Sequence, residues 1–303
     1  MQTAPPRPNK LWLAALKPPM YSVAIMPIVL GSAVAYWETS QINWATAVRF
    51  GLAAVLILLW ENLCNDVFDA STGIDRHKHH SLVNLTGHRW LLFWLAQASL
   101  ILGLALIAAI AQTQGWLILG IILVCCLLGY LYQGPPFRLG YRGLGEFLCF
   151  PAFGPLAVSA VYFSQTGSFS STALWASISL GISTSLVLFC SHFHQVDDDL
   201  AAGKKSPIVR LGTRRAAQLL PWACGLTLAT IAIPILFQVF PWATAIALIS
   251  IFPARSLCRF VRTSHSQPAV VSRSKFLAIH FQFWSGLLFS LGFVLADQLS
   301  SSL

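Results

Sequence analysis

Long apolar segments separated by short polar ones run along nearly all of the 303-residue chain. A helix needs about 20 apolar residues to cross the roughly 30 Å hydrocarbon core of a bilayer. On this pattern the predicted fold class is all-α, a polytopic membrane protein forming one domain over residues 1–303. The pattern predicts nine spanning helices: 20–37, 45–64, 90–112, 115–133, 144–163, 172–196, 216–237, 239–260 and 276–298.

Composition agrees with a bilayer environment. Hydrophobic residues make up 56% of the chain and charged residues 10%, against about 25% charged in ordinary soluble domains. The seven cysteines lie in or beside apolar runs without a CxxC pair, and we interpret them as buried apolar side chains. The Pro-rich, basic N-terminal segment shows no convincing cleavage site, so the first apolar segment is predicted to be a retained helix.

The net charge of +9 is a signal of membrane topology. Apart from Arg49, every Lys and Arg lies in the N-terminal segment or in the loops and helix ends on that side of the predicted bundle. The positive-inside rule therefore places the N-terminus and these loops in the cytoplasm. No nucleic-acid partner is expected, because the basic residues follow the topology and form no separate patch.

A first polar cluster ends the second predicted helix. Asn62, Asn65, Asp66 and Asp69 fall within a wedge of about 100° on one helix face. Gly73 suits a helix terminus, after which Asp75 can fold back toward the same site. Carboxylates at membrane depth are costly and usually functional.

A second polar cluster ends the sixth predicted helix, with His192, Gln195 and three consecutive aspartates, Asp197, Asp198 and Asp199. Several of its positions repeat those of the first cluster at a constant offset of 130 residues. We interpret the offset as a sign of two pseudo-repeats, about 20–133 and 144–260, followed by a ninth helix. A chance similarity is the alternative, because few positions match.

Oxygen-rich clusters beside Lys and Arg suit Mg²⁺ and a diphosphate, since Mg²⁺ typically bridges carboxylates to phosphate oxygens. Three alternatives remain at this point. The acids could be solvated helix ends, or they could be the ion sites of a transporter, although such sites usually lie near the membrane midplane. Four histidines could bind zinc: His77, His79, His80 and His88.

At these residues the chain resembles the UbiA superfamily of membrane prenyltransferases. The segment Asn65-Asp66-Val67-Phe68-Asp69 matches the Asn-Asp-x-x-Asp motif of that family. The spacing from Asp69 to Asp75 and the string from Tyr132 to Glu146, which contains Gly134-Pro135-Pro136 and Gly143-Leu144-Gly145, resemble the 1,4-dihydroxy-2-naphthoate branch. The resemblance covers nearly the whole chain and implies a nine-helix bundle.

The second cluster departs from the family pattern. Many members carry an aspartate where this chain has Gln195, which offers a metal only a neutral carbonyl. Asp197 or Asp198 could compensate. The form of this segment resembles a subgroup of oxygenic phototrophs that transfers phytyl groups, which would place the enzyme in the plasma or thylakoid membrane of a photosynthetic bacterium.

The resemblance implies transfer of a prenyl group, phytyl in this subgroup, from its diphosphate to 1,4-dihydroxy-2-naphthoate with loss of CO₂, in phylloquinone or menaquinone biosynthesis. Homogentisate and 4-hydroxybenzoate are the alternative acceptors. The implied Mg²⁺ ligands are Asn65, Asp66, Asp69, Asp75, Asp197, Asp198 and Asp199. Lys78, Arg138 and Lys204 would bind the diphosphate, and the implied substrate-contacting or supporting residues are Asn62, Tyr132, Tyr141, His192 and Gln195.

Overall fold

The computed structural model describes residues 18–72 and 81–301. Within these ranges the chain is helical and contains no strand, so the predicted all-α class is confirmed. Each predicted segment corresponds to one long helix. These helices are α1 Tyr21–Thr39, α2 Trp44–Thr72, α3 Arg89–Gln114, α4 Leu117–Gln133, α5 Gly145–Thr166, α6 Ser171–Ser191, α7 Thr213–Leu236, α8 Trp242–Ser264 and α9 Ser274–Ser301.

Eight apolar helices in the described part of the chain are long enough to cross a membrane, and α4 is shorter, with 17 residues. The chain is therefore an integral, multi-pass membrane protein. Crossing by α4 as well stays a prediction, as does the total of nine spans. Large apolar side chains on the outer faces, such as Trp222 and Phe237, are well exposed, as expected for surfaces that contact lipid.

The connections divide the bundle into two unlike ends. Successive helices alternate in direction, so the connections α2–α3, α4–α5, α6–α7 and α8–α9 share one end, which we call the site end. Among the described residues, it carries seven short helices: Pro18–Met20, Leu82–Thr86, Leu139–Arg142, His192–His194, Val196–Ala201, Pro207–Leu211 and Pro268–Val271. The far end has only the short connections 40–43, 115–116, 167–170 and 237–241.

Small residues let helices approach closely where packing is densest. A Cβ on Gly154 of α5 would lie 2.8 Å from the carbonyl oxygen of Ser177 and 2.9 Å from the Cα of Gly181, both on α6. Close backbone approach of this kind is a usual means of packing helices inside membranes, where lipid removes the hydrophobic drive for association. It fixes α5 against α6, the helix that leads into the second polar cluster.

Two helices that border the site are irregular. In α5 a π-helical turn spans Ala152–Leu156; Pro151 precedes it and Pro155 lies within it, and both π turns and prolines bend helices. The sixth predicted helix was expected to continue to residue 196, but α6 ends at Ser191 and a 3₁₀ turn, His192–His194, follows. The three aspartates therefore lie on a separate short helix, Val196–Ala201, whereas the first cluster lies on the uninterrupted α2.

Candidate active site

A cavity of about 850 Å³ opens among α1, α2, α4, α5, α6 and α9. This volume is in the upper part of the range of roughly 300–1,000 Å³ that is typical of small-molecule sites. Its lining is apolar over most of its surface and polar toward the site end. Both predicted clusters contribute to the polar part, through Asn62, Asn65, Asp66, Asp69, His192, Gln195 and Lys204.

One face of α2 supplies a continuous stripe of the lining. The stripe recurs every three or four residues, as the 3.6-residue period of a helix requires. It begins with apolar side chains at Phe50, Ala54, Ile57 and Leu58 and continues with polar ones at Glu61, Asn62, Asn65, Asp66 and Asp69. A single helix face therefore changes from apolar to oxygen-rich along the cavity.

The two aspartates of the first motif are held by neighbouring backbone and side-chain groups. Asp66 is 1% exposed, and its Oδ2 accepts a hydrogen bond from the backbone N–H of Leu82 at 2.9 Å. This contact fixes the start of the short helix Leu82–Thr86 to α2. The Tyr141 hydroxyl donates to Asp69 Oδ1 at 2.9 Å. Asp69 is thereby connected to the α4–α5 connection.

The second motif contributes one buried carboxylate. Asp199 is fully buried, with Lys204 Nζ 3.5 Å from its Oδ1 and His192 Nδ1 3.4 Å from its Oδ2. Both contacts are longer than a typical hydrogen bond. Burial alone would raise the pKa of the Asp199 carboxyl, but the adjoining His192 and Lys204 side chains hold that pKa below its ordinary value. Asp199 is therefore an anion at neutral pH and fixes Lys204 at the cavity wall.

Tyr141 joins the two motifs. Besides its bond to Asp69, its ring lies 5.6 Å from Lys204 Nζ and 5.9 Å from the guanidinium carbon of Arg138, distances at which a cation is attracted to a ring face. Its carbonyl oxygen accepts a hydrogen bond from the backbone N–H of Lys205 at 2.7 Å. The α4–α5 connection therefore bridges the two aspartate motifs, which are far apart in sequence.

The structure does not place every predicted residue in the cavity. Asp197 and Asp198 are exposed on Val196–Ala201 and do not line it. Tyr132 and Gln195 do line it. Asp199, Tyr141 and Arg138 do not, but Asp199 contacts Lys204 and Tyr141 contacts Asp69, both in the lining, and Arg138 lies beside the Tyr141 ring. The remaining predicted site residues, Asp75 and Lys78, lie outside the described residues, as do His77, His79 and His80 of the zinc alternative.

Several polar residues at the site were not predicted. Glu61, Gln133 and Lys275 line the cavity, and Glu146 Oε1 lies 3.9 Å from His192 Nε2. For Glu61 a signal was available, because a carboxylate within an apolar helix is rarely there without a function. Lys275 lies at the start of α9, and nothing in the local sequence pattern connects it to the aspartate motifs.

The donor atoms of the first motif suit a hard divalent cation that a substrate helps to bind. Within residues 18–72 and 81–301, no three His, Cys, Asp or Glu side chains are grouped so as to hold a metal ion by themselves. Mg²⁺ at phosphate sites commonly takes only one or two carboxylates, with water and phosphate oxygens as its other ligands. Asn65, Asp66 and Asp69 offer such a partial set of oxygen ligands at the cavity wall.

A bundle of apolar helices around an amphipathic cavity, with carboxylates and a lysine at its polar end, has the properties of a membrane enzyme for a lipid-like anionic substrate. The model of the UbiA prenyltransferase family matches residues 24–293. The chain belongs to this family and is an integral-membrane prenyltransferase. This result decides against the transporter alternative.

Two curated relatives match nearly the whole chain and a third matches two thirds of it. A 2-carboxy-1,4-naphthoquinone phytyltransferase from Synechocystis sp. is 51% identical over 289 residues, which cover 95% of this chain and 94% of the relative. The chloroplastic protein of the same name from Arabidopsis thaliana is 38% identical, covering 96% of this chain and 78% of the relative. A 1,4-dihydroxy-2-naphthoate octaprenyltransferase from Haemophilus influenzae is 28% identical, covering 67% of this chain and 70% of the relative.

Solved structures share the fold. A UbiA homologue from Archaeoglobus fulgidus, bound to GPP and Mg²⁺, superposes with a TM-score of 0.57 at 16% identity and covers 92% of this chain and 99% of its own. An apo UbiA homologue from Aeropyrum pernix K1 gives a TM-score of 0.66 at 13% identity, covering 94% and 98%. The helical fold described above is therefore shared with these UbiA homologues.

Proposed function

We propose that this protein transfers a phytyl group from phytyl diphosphate to 1,4-dihydroxy-2-naphthoate, with release of diphosphate and CO₂. One observation carries the proposal: both polar clusters contribute to a single cavity, the first through Asp66 and Asp69 and the second through His192, Gln195 and Lys204. This cavity is polar at the site end and apolar beyond. A prenyl diphosphate has the same division into an anionic head and an apolar tail. The names and identities of the Synechocystis and Arabidopsis relatives support naphthoate and phytyl as the particular substrates.

The polar end suits the diphosphate. In this proposal Asn65, Asp66 and Asp69 hold Mg²⁺, which when bound neutralises the negative charge that grows on the leaving diphosphate. Lys204, fixed by Asp199, supports the same oxygens as a point charge. Asp197 and Asp198 have no part in it, because their side chains are exposed outside the cavity.

The apolar part suits the carbocation and the prenyl chain. When the C–O bond of the donor breaks, the allylic cation needs surroundings that stabilise it without reacting with it. Trp60, Phe153 and Phe276 line the cavity and offer aromatic rings for cation–π contact. Apolar neighbours such as Ile57 also keep water away, which would otherwise convert the cation to an alcohol.

The acceptor must be the dihydroxy form. An allylic cation attacks electron-rich rings, and a quinone is electron-poor, whereas 1,4-dihydroxy-2-naphthoate is the reduced form of 2-carboxy-1,4-naphthoquinone. Attack by the ring carbon that carries the carboxylate allows CO₂ to leave and restores aromaticity.

The test is an assay of membranes that contain this protein with phytyl diphosphate and a panel of acceptors. We expect one CO₂ released per prenylated naphthalene product, and slower turnover of homogentisate and 4-hydroxybenzoate. Membranes carrying an Asp69→Asn variant serve as the control for background activity. Faster prenylation of homogentisate than of the naphthoate would contradict the proposed acceptor.

The same proposal places the N-terminus and the site end on the cytoplasmic side, because the basic residues are concentrated there. Single cysteines introduced into a Cys-free protein at Arg142 and at Lys205 should react with a membrane-impermeant thiol reagent from the same side. A cysteine at Ser168, in the far-end connection 167–170, should react from the other side. Labelling of the two site-end positions from opposite sides would contradict the placement.

A further inference from the structure

Glu61 stands apart from the other carboxylates of the cavity. It lines the cavity from the middle of α2, and within residues 18–72 and 81–301 it makes no hydrogen bond or ion pair. A carboxyl group at membrane depth without a partner is costly and is rarely retained without a use. Gly129 of α4 packs beside it. Even a Cβ at that position would lie 3.6 Å from the Glu61 carboxyl carbon, so the lack of a side chain there leaves room for the carboxyl group.

The position of Glu61 along α2 defines what it can reach. Asn65 lies one turn toward the site end and Ile57 about one turn toward the apolar part, each roughly 6 Å away along the helix axis. Asp69, at the diphosphate end, is about 12 Å away by the same measure. Glu61 therefore lies at the boundary between the polar and apolar parts of the lining. In the proposed function, the donor carbon and the acceptor ring meet at that boundary.

The other two carboxylates of the lining, and its His192 and Lys204, already have partners. Asp66 accepts from Leu82, Asp69 accepts from Tyr141, and His192 and Lys204 both contact Asp199. Each of these groups is engaged in holding the polar end of the site together. Glu61 has both carboxyl oxygens available to a ligand.

We infer that Glu61 is the proton-exchanging residue for the acceptor: it accepts a hydrogen bond from the hydroxyl on ring carbon 1 of the naphthoate and takes up its proton during attack. The inference rests on the proposed function and adds a catalytic residue to it. A positioned carboxylate makes the ring more nucleophilic as the O–H bond weakens, and general-base assistance of this kind contributes about 10²–10⁴-fold in rate.

The chemistry balances without a further reactant. The C–O bond of the donor breaks, its electron pair leaves with the diphosphate, and ring carbon 2 forms the new C–C bond. The carbon 1 hydroxyl gives its proton to Glu61 and becomes a carbonyl. The bond from carbon 2 to the carboxylate then breaks, CO₂ leaves, and the electron pair moves through the ring to the carbon 1 oxygen. That oxygen takes the proton back from Glu61, which is thereby restored.

The decisive experiment compares wild type and Glu61→Gln with two acceptors, 1,4-dihydroxy-2-naphthoate and its 1-O-methyl ether. The ether has no proton on the carbon 1 oxygen, so Glu61 has nothing to accept from it. With the dihydroxy acceptor, Glu61→Gln should lower kcat at least about 100-fold and leave the KM for phytyl diphosphate unchanged. With the ether, the two proteins should turn over at nearly equal rates.

A merely structural role for Glu61 would give the same ratio of rates with both acceptors, and that result would overturn the inference. So would a Glu61→Gln protein with wild-type kcat on the dihydroxy acceptor. Glu38→Gln, the same substitution at the far end, is the matched control and should keep wild-type turnover.

If Glu61→Gln does not accumulate, Glu61→Asp keeps a carboxylate that is one methylene shorter, and the ratio of its rates to those of wild type on the two acceptors gives the same test. If wild type fails with the dihydroxy acceptor but prenylates another ring, the proposed function is wrong, and this inference falls with it.

Discussion

At the far end of the bundle, carboxylates join helices to one another. Glu38, at the end of α1, accepts hydrogen bonds from the hydroxyls of Tyr162 on α5 and Ser170, the latter at 2.8 Å. Asp297, near the end of α9, accepts from Ser40 at 2.5 Å. Hydrogen bonds to charged groups stabilise a fold more than neutral ones do. These acids therefore attach the ends of α1 and α9 to α5 and to the connections 40–43 and 167–170.

Toward the site end, three carboxylates line the cavity: Glu61, Asp66 and Asp69. Glu61 has no partner among the described residues. Asp199 is buried behind the lining and contacts the lining residues His192 and Lys204 at 3.4 and 3.5 Å. The helices that carry the site are interrupted as well, by the π turn in α5 and by the end of α6 at Ser191. Irregular backbone at membrane depth is tolerated where it lines a cavity.

The difference shows how to separate structural from functional acids in a membrane protein. An acid remote from the cavity, whose oxygens accept from hydroxyls of neighbouring segments, contributes to stability. An acid that lines the cavity is available to a metal ion, a proton or a substrate, even where one oxygen already accepts from a hydroxyl, as in Asp69. Glu38 lies at one end of α1 and Asp69 near one end of α2, so a position at a helix end does not distinguish the two kinds.

Removal of divalent metal should have the largest effect on turnover, because the metal acts at the site end, and it should not alter the contacts at the far end. A diphosphate dianion cannot leave an apolar site unless its charge is neutralised. We therefore expect EDTA to abolish prenyl transfer and added Mg²⁺ to restore it, while the thermal stability of the solubilised protein changes little. Undiminished turnover in excess EDTA would remove metal from the proposed mechanism.

The next largest effect on kcat should come from substitution of a single carboxylate, and it should differ between the two ends. Asp69→Asn keeps the size of the side chain but removes the charge that is needed at the diphosphate end, and loss of one such electrostatic contact costs about 10²–10³-fold in kcat. Asp297→Asn, the same change at the far end, should leave kcat near wild type in protein of equal folded fraction. Steady-state kinetics of both variants, with the folded fraction measured by size-exclusion chromatography, would test the contrast. Equal losses in the two variants would contradict it.

Much of this architecture follows from the sequence. The helices α1 to α9 could be predicted because spanning helices need long apolar runs, although crossing by the 17-residue α4 stays a prediction. The α2 cluster could be predicted because its residues recur with helical period. The break in the helix after Ser191 could not be predicted, because no Pro or Gly marks it and the apolar pattern continues to Phe193.

The helical period of Val196–Ala201 explains the differing positions of its three consecutive aspartates. Successive residues on a helix point about 100° apart, so three in a row cannot all face one cavity. On Val196–Ala201 it is Asp199 that turns inward, while Asp197 and Asp198 are exposed. The contact of Tyr141 with Asp69 is likewise beyond any local pattern, because it joins residues 72 positions apart.

Tyr141→Phe should have an intermediate effect. The substitution removes the hydroxyl that donates to Asp69 at 2.9 Å but keeps the ring beside Lys204 and Arg138. A hydrogen bond to a charged group contributes about 1.5–3 kcal/mol, so the rate should fall roughly 10- to 150-fold if the bond orients Asp69 for the reaction. Tyr162→Phe, which removes a hydroxyl from Glu38 at the far end, is the matched control and should affect stability rather than kcat. Wild-type kcat in Tyr141→Phe would show that Asp69 needs no such support.

The smallest effect is expected at Gln195, where the chain departs from the aspartate of many relatives. Gln195 precedes the short helix Val196–Ala201, and its backbone carbonyl accepts the N–H of Asp199 at 2.7 Å. Its side chain lines the cavity. Because the helix contact is made by the backbone, Gln195→Ala preserves it and removes only the amide group from the cavity.

We therefore expect Gln195→Ala to stay folded and to lose about 1–2 kcal/mol of transition-state stabilisation, roughly 5- to 30-fold in kcat. Gln195→Asp adds a carboxylate that can bind Mg²⁺ directly, so it should stay active and reach half-maximal rate at a lower Mg²⁺ concentration. A magnesium titration of wild type and both variants measures the two effects together. If Gln195→Ala matches wild type in rate and in magnesium dependence, the side chain has no role in the reaction, and the polar end of the cavity depends on α2, Tyr141 and the Asp199–Lys204 pair.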